Sequence, residues 1–404
     1  MESYDVIVAG AGPAGSSCAL FLSKAGKSVL LLDRAQFPRE KVCGDGISGR
    51  SVGILGELGI LDSFKDVEHQ DMYGVTFSSP NGTVAPISSG KAGEKPPGFV
   101  CRREVFDNVV FQHAKKAAAR TIEGFFIKDL LMEGSRIVGV KGDFAGKEME
   151  FRAPVVVGAD GAAGVIARRL GSRQEDEAHQ CAGLRCYYEG VEGMGDKIEL
   201  HFVKEALPGY FWIFPLPDKR ANVGICIMVN DVKRNKINLQ KALSDVVEKN
   251  PVFKERFKNA RRITEMKSWI LPYASKRVKM AFDGCVLVGD AASLIDPFTG
   301  EGIGNALTSG KYASKTILKA FELNDFSEKT LSAYPEELFS NIGNEIDTNY
   351  RMQRMSKTPI LLNLVIGKAK RSKEVQAVIS DAILDPHNHK TLIDPMFMLR
   401  ALLA

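Results

Sequence analysis

Apolar residues along this chain fall into short unbroken runs that end in glycine or aspartate, and into longer stretches with one polar face. The first kind reads as buried strand and the second as helix. Residues 4 to 9 form the first short run, followed by Gly10-Ala11-Gly12-Pro13-Ala14-Gly15 and a helix-like stretch from Ser16 to Ala25. A second strand, Ser28 to Leu32, ends at Asp33. Val155-Val156-Val157 runs into Gly158-Ala159-Asp160-Gly161. The segment from Leu184 to Ile227 is β-rich, and residues 239 to 260 predict a helix charged on one face. Strand-like Gly284 to Val288 leads into Gly289-Asp290-Ala291-Ala292, and a helix is expected from near Gly302 towards Leu318. From Ala333 onwards the pattern predicts helices that carry no site motif.

The first forty residues thus have the order strand, GxGxxG, helix, strand, acid. Each part has a mechanical reason. The glycines at 10, 12 and 15 allow a tight turn, close approach of a pyrophosphate and close packing of helix on strand. The helix start offers free N–H groups and the positive end of its dipole to phosphate. Asp33 is placed to accept hydrogen bonds from ribose hydroxyls. This combination points to a bound cofactor containing ADP. A second glycine-rich turn, DPFTGEGIGNA from Asp296, comes late in the chain. The fold therefore returns to the first nucleotide site and closes it, as a large, permanently bound flavin requires and a nicotinamide that comes and goes does not.

Length and composition limit the alternatives. At 404 residues the chain exceeds one hydrophobic core. Two domains, or one large domain with an inserted lobe, are expected. Hydrophobic residues make up 45% and charged residues 25%, ordinary for a globular enzyme. The net charge of +5 favours an anionic partner slightly and is too weak for nucleic acid. The seven cysteines lack any CxxC spacing, so no metal site is expected and the thiols read as reduced, as in the cytoplasm. The chain enters a strand at once, with no signal peptide, and no apolar run approaches the ~20 residues of a membrane span.

GxGxxG with Asp33, then Gly158-Ala159-Asp160-Gly161, then Gly289-Asp290 with DPFTGEGIGNA resemble the three FAD fingerprints of the para-hydroxybenzoate hydroxylase-like flavoproteins. Two further motifs narrow the resemblance. Lys41-Val42-Cys43-Gly44-Asp45-Gly46-Ile47 and Pro208-Gly209-Tyr210-Phe211-Trp212-Ile213-Phe214-Pro215 are similar to motifs of the geranylgeranyl reductase family, which saturates isoprenoid C=C bonds. The resemblance covers about residues 1 to 320. It implies an α/β fold: a Rossmann-type FAD-binding domain with an inserted β-rich substrate lobe and a C-terminal helical tail. The expected division is 1–165 for the FAD-binding domain, with an excursion at about 65–98, then 166–275 for the lobe, 276–330 for the return and 331–404 for the tail.

Carried onto this chain, the resemblance implies that Ala14 and Gly15 contact the pyrophosphate and that Asp33 and Arg34 hold the ribose. Cys43, Gly44 and Gly46 would line the path of the flavin. Arg103 would reach its phosphate or ribityl region, Ile127 would offer backbone to the adenine, and Asp290 would bind a ribityl hydroxyl. Gly302 and Ile303 would present helix-start N–H groups. Gly164 departs from the family pattern, which often has serine there, and this leaves Asp160 a structural role. Cys43 is a catalytic candidate, with Lys41 as a neighbour that would activate the thiol if it pointed that way. Asp45 is either a proton donor or a polar turn residue. Tyr210 and Trp212 share one face of a strand by parity and are candidates to line an isoprenoid channel, where aromatic faces stabilise developing positive charge.

The implied partners are a polyprenyl lipid and an electron donor, NAD(P)H or reduced ferredoxin. Leu361-Leu362-Asn363-Leu364-Val365-Ile366, followed by Lys368, Lys370, Arg371 and Lys373, is either a core helix with a solvated end or a grip on the inner face of a membrane. Two rival readings remain at this level. A flavin monooxygenase or halogenase has the same flavin motifs; a halogenase also needs a tunnel lysine, and no lysine is marked out for that by its surroundings, with Lys41 and Lys91 left open. A prenyl-binding carrier would need no phosphate-binding turns.

Overall fold

The computed structural model describes residues 2–384. The last twenty residues of the expected helical tail, 385–404, lie outside the described residues.

The buried apolar runs form a six-stranded sheet in the order Ala281–Phe282, Cys285–Leu287, Val155–Gly158, Val6–Ala9, Val29–Asp33 and Arg120–Glu123. Its interior strands are parallel and fully buried, which explains their continuous rather than alternating hydrophobicity. Pro13–Lys24 crosses from the first strand to the second, as the sequence pattern requires. Pro13 opens this helix, where its missing N–H costs nothing. The helix Ile303–Leu323 packs along it, and Ser17 Oγ donates to the Leu307 carbonyl at 2.9 Å. A Cβ at Gly310 would lie 2.4 Å from the Ala14 carbonyl oxygen, so glycine there sets the close approach of the two helices. A four-stranded sheet, Glu2–Ser3, Lys147–Arg152, Arg136–Phe144 and Phe126–Glu133, adds Val140 and Phe151 to the same core.

The β-rich lobe is an eight-stranded sheet built on Gln180–Glu189, Arg220–Met228, Tyr210–Leu216 and Ile198–His201. It also takes in Gly74–Ser78 and Val84–Ser88, so most of the early excursion belongs to the lobe by hydrogen bonding. Strand parity divides Tyr210–Leu216 cleanly. Phe211 and Ile213 join Phe253 and Phe257 in a core beneath the helices, while Tyr210 and Trp212 face the other way. The expected single helix over 239–260 is two, Leu239–Lys249 and Lys254–Phe257. Pro251 disfavours helical geometry at Asn250, whose side chain turns back to accept from the Val252 N–H at 3.0 Å.

A buried polar network ties this lobe together. Arg256 bonds Glu199 through both guanidinium nitrogens at 2.6 and 2.8 Å, Glu199 bonds His201 Nε2 at 2.9 Å, and His201 Nδ1 lies 2.8 Å from Ser78 Oγ. Burial pushes the His201 imidazole below its usual range despite Glu199. None of these four residues lines the large cavity described below, so their role is structural. Ser78→Ala leaves His201 Nδ1 without its partner and is expected to cost about 1–2 kcal/mol in urea unfolding. A change below about 0.3 kcal/mol would show that the network does not hold the lobe.

Candidate active site

A single cavity of about 1020 Å³ runs from the first glycine turn to the C-terminal helices. It lies at the upper end of the range for small-molecule sites. Gly10, Gly12 and Ala14 line one end together with Asp33, Arg34 and Ile127. Cys43, Gly44, Gly46, Arg103, Tyr210, Trp212, Asp290, Gly302 and Ile303 line its middle. Gly15, expected at the pyrophosphate, does not line the cavity. A Cβ there would stand 1.8 Å from the Gly10 carbonyl oxygen, so Gly15 is the residue that lets helix sit on strand. Ile127 lies within the strand Phe126–Glu133 of the outer sheet rather than after a central strand.

Two long helices present their N-termini to this space. Pro13–Lys24 and Ile303–Leu323 have Gly12 and Gly302 at their caps, without a side-chain cap and without an acid in the first turn. Their first N–H groups and dipole ends therefore favour an anion. The Asp33 carboxylate accepts from the N–H groups of Ala11 at 2.7 Å and Ala35 at 2.8 Å, which holds the turn and leaves each oxygen further capacity. Asp160 also has a structural explanation. Its carboxylate accepts from the Ile166 N–H at 3.0 Å, and a Cβ at Gly164 would come 2.2 Å from its Cγ. The departure from serine at 164 thus makes room for Asp160.

The Cys43 loop crosses the middle of the cavity. A Cβ on Gly44 or Gly46 would meet the edge of the Phe214 ring at 3.1 Å. These glycines thus let the backbone lie flat between the aromatic strand and the cavity. Arg103 and Lys41 are both cationic neighbours of Cys43. The Lys41 ammonium lies 4.3 Å from the centre of the Trp269 ring, where burial pulls its pKa down. Lys41 also lines the cavity, whereas Lys91 is exposed beside Glu94. Arg103 is itself buried. Its Nε and Nη2 bond Asp107 at 2.7 and 2.8 Å, and Asp107 keeps the guanidinium charged against the pull of burial. Asp45 is fully buried and accepts from the Tyr187 hydroxyl at 2.6 Å, from Asn222 at 2.7 Å and from the Arg103 N–H at 3.2 Å. It is an anchor of the loop. Arg185, 1% exposed, bonds Glu40 at 2.7 Å and leaves Nε and Nη1 without a protein partner on the cavity wall.

The residues fit FAD: uncapped helix starts for a pyrophosphate, an acid at the second strand, glycines beside an aromatic wall, and unpartnered guanidinium nitrogens. The FAD binding domain family matches residues 3–337. A digeranylgeranylglycerophospholipid reductase of Methanosarcina acetivorans is 32% identical over 86% of this chain and 83% of its own length. The chain belongs to the geranylgeranyl reductase family of FAD-dependent oxidoreductases. A solved geranylgeranyl bacteriochlorophyll reductase-like protein from Thermoplasma acidophilum superimposes with a TM-score of 0.84 at 27% identity, covering 98% of this chain and 99% of that one. A flavin-dependent brominase shares the fold at TM-score 0.79 and 23% identity, covering 97% and 99% of the two chains.

In this family member the C-terminal helices, which carry no site motif, contribute residues to the cavity. Glu345, Asn349 and Met352 of the helix Ala333–Met355, and Leu361, Leu362, Val365 and Ile366 of the helix Pro359–Arg371, line the cavity. No motif marks them, because a helix face is contributed by scattered positions. Glu345 pairs with Arg50, and Glu301 of the DPFTGEGIGNA turn bonds Ser48. Burial, with Asp296 and Glu301 nearby, outweighs Arg50 and raises the Glu345 carboxyl to about 8. The folded protein therefore holds a proton that the unfolded chain releases near pH 4.5, and stability falls as pH rises between these values. Glu345→Gln is expected to reduce the loss of unfolding free energy between pH 5 and pH 8 by at least about 1.4 kcal/mol. Equal losses in both proteins would show that Glu345 ionises normally.

Proposed function

We propose that this protein saturates isoprenoid C=C bonds of a geranylgeranyl or other polyprenyl group in a lipid. The observation that carries this reading is the continuity of the cavity. One space joins the nucleotide-binding turns, the Tyr210–Trp212 face and the apolar side chains of the helix Pro359–Arg371. A long prenyl chain is a substrate that needs all three.

In this reading Gly10, Gly12 and Ala14 cradle the pyrophosphate, with Gly302 and Ile303 closing from the second helix start. Asp33 and Arg34 hold the adenosine ribose, Ile127 offers backbone to the adenine, and Arg103 and Asp290 hold the ribityl region. When bound, reduced FAD would supply the hydride to one alkene carbon, and the other carbon would take a proton drawn ultimately from solvent. Tyr210 and Trp212 hold the prenyl chain by their ring faces, exclude water and stabilise positive charge at a tertiary carbon. The Tyr210 hydroxyl donates to the Thr299 carbonyl at 2.6 Å, which fixes its ring. Cys43 borders the same space. Electrons enter from NAD(P)H or reduced ferredoxin, docking transiently.

The test is to reduce the purified flavoprotein anaerobically and add a geranylgeranylated lipid. Return of the flavin bands with saturated product by mass spectrometry is expected. Reoxidation by oxygen but not by the lipid would move the protein to the monooxygenase or halogenase class. Failure to take up flavin would leave the carrier. Bleaching with NAD(P)H or with reduced ferredoxin identifies the donor.

We also propose that the helix Pro359–Arg371 rests on an anionic membrane surface. Among the described residues no helix is long and apolar enough to cross a membrane. Ile360 and Leu364 are 72% and 53% exposed, beside Lys368, Lys370, Arg371 and Lys373. Ile360→Asp with Leu364→Asp is expected to weaken sedimentation with vesicles containing anionic phospholipid by roughly tenfold. Unchanged sedimentation would exclude this face.

A further inference from the structure

We propose that Asn222 is a positioning residue that ties the orientation of the Trp212 indole to the Cys43 loop. This inference rests on the reading of the cavity given above and names a determinant of its geometry. Asn222 is wholly buried and stands opposite Phe214 on one neighbouring strand and opposite Tyr187 on the other. Its Oδ1 accepts from the Trp212 indole N–H at 2.9 Å. Its amide nitrogen donates to the Cys43 carbonyl at 2.7 Å and to Asp45 Oδ2 at 2.7 Å. The assignment is unambiguous, because an indole can only donate and a carbonyl or carboxylate can only accept. Aspartate would offer no donor to Cys43 or Asp45, and leucine would offer nothing to any of the three.

Gly224 supplies the second constraint. It stands opposite Trp212 on the neighbouring strand, and a Cβ there would lie 2.3 Å from the indole Cζ2. The indole therefore lies flat over Gly224, with its N–H held by Asn222. The Cys43 loop, which packs against the edge of the indole at Gly44, is held by the same amide, directly and through Asp45. The indole and the loop packed against it thus hang on one side chain. Misplacement of such groups costs rate more than binding.

The experiment is a double-mutant cycle with a spectroscopic arm. Asn222→Ala is expected to lower kcat at least ~10-fold with KM changed less than about threefold, the sign of lost positioning rather than lost binding. Trp212→Phe keeps the ring but lacks the N–H, and is expected to lower kcat with KM nearly unchanged. The double variant N222A/W212F is expected to lose less than the sum of the two single losses, because part of the Asn222 effect runs through that N–H. Additive losses, or W212F at wild-type kcat, overturn the proposal. The chain has 2 tryptophans, so in a Trp269→Phe background Trp212 reports alone. There N222A is expected to shift emission to longer wavelength and raise acrylamide quenching, measured without FAD or lipid. Unchanged emission overturns the proposal even where activity falls. If the wild-type protein reduces no prenyl lipid, the proposed function fails, and the emission result still decides whether Asn222 holds the indole.

Discussion

Gly15→Val is expected to yield a protein that no longer retains FAD, with affinity lowered by roughly 1,000-fold, equivalent to about 4 kcal/mol. The reason is a backbone contact. A Cβ at 15 would lie 1.8 Å from the Gly10 carbonyl oxygen and 3.0 Å from the Ala159 Cβ. Neither neighbour is the end of a flexible chain, so the start of the helix Pro13–Lys24 has to move off the sheet. It carries with it the free N–H groups at Gly12 and Ala14. The attraction between a helix start and phosphate falls off within the first turn. Gly289, which stands with its own absent Cβ 2.9 Å from Ala14, would be displaced as well. The check is fluorescence titration of the apoprotein with FAD, with circular dichroism to confirm the fold. A yellow protein binding FAD within about threefold of wild type would refute this account of the glycine.

The second large effect is expected at Arg103. Arg103→Met removes the bidentate partner of Asp107, whose side chain is completely buried. Arg39 remains at 3.0 Å but is partly exposed and approaches one carboxylate oxygen. Breaking a buried pair from one side costs about 3–5 kcal/mol, because the remaining charge is left without compensation. The backbone N–H at position 103 still donates to Asp45, so the loss is that of the side-chain pair. Denaturant unfolding of the apoprotein measures the cost. The double variant R103M/D107L removes both charges and is expected to recover most of it, since apolar replacement of a whole pair is often close to neutral. An R103M variant destabilised by less than about 1 kcal/mol would mean that Arg39 alone satisfies Asp107.

These two residues differ in how visible they were from the sequence. The glycine turn was legible because its information is local. A strand, three glycines, a helix and an acid follow each other within thirty residues, and backbone geometry demands those residue types. The site role given to Gly15 was nevertheless displaced from phosphate to packing. Arg103 was placed at the cofactor by resemblance. Its pair with Asp107 sits one helical turn away, but the bond from its backbone N–H to Asp45 depends on how the loop folds back. Likewise, the direction of the Lys41 side chain was open from the sequence, and only the fold brings Trp269 to offer its ammonium a ring face.

The C-terminal helices show the same limit. Their apolar positions were visible, and so was the basic cluster after Ile366. That Glu345, Met352 and Leu362 line the cavity was not, since any amphipathic helix buries such a face. Only the packing against the lobe selects the partner.

The sequence by itself determined the FAD-binding framework and the shared face of Tyr210 and Trp212. Both follow from rules that act over a few residues: the φ freedom of glycine, the free groups at a helix start and the period of two along a strand. The tertiary structure alone decided the polar links that shape the reaction space. Asn222 meets Cys43 across 179 positions and Asp45 across 177. Such contacts have no period and no fixed spacing. They arise from strand register and from the packing of the whole lobe, which no local pattern encodes.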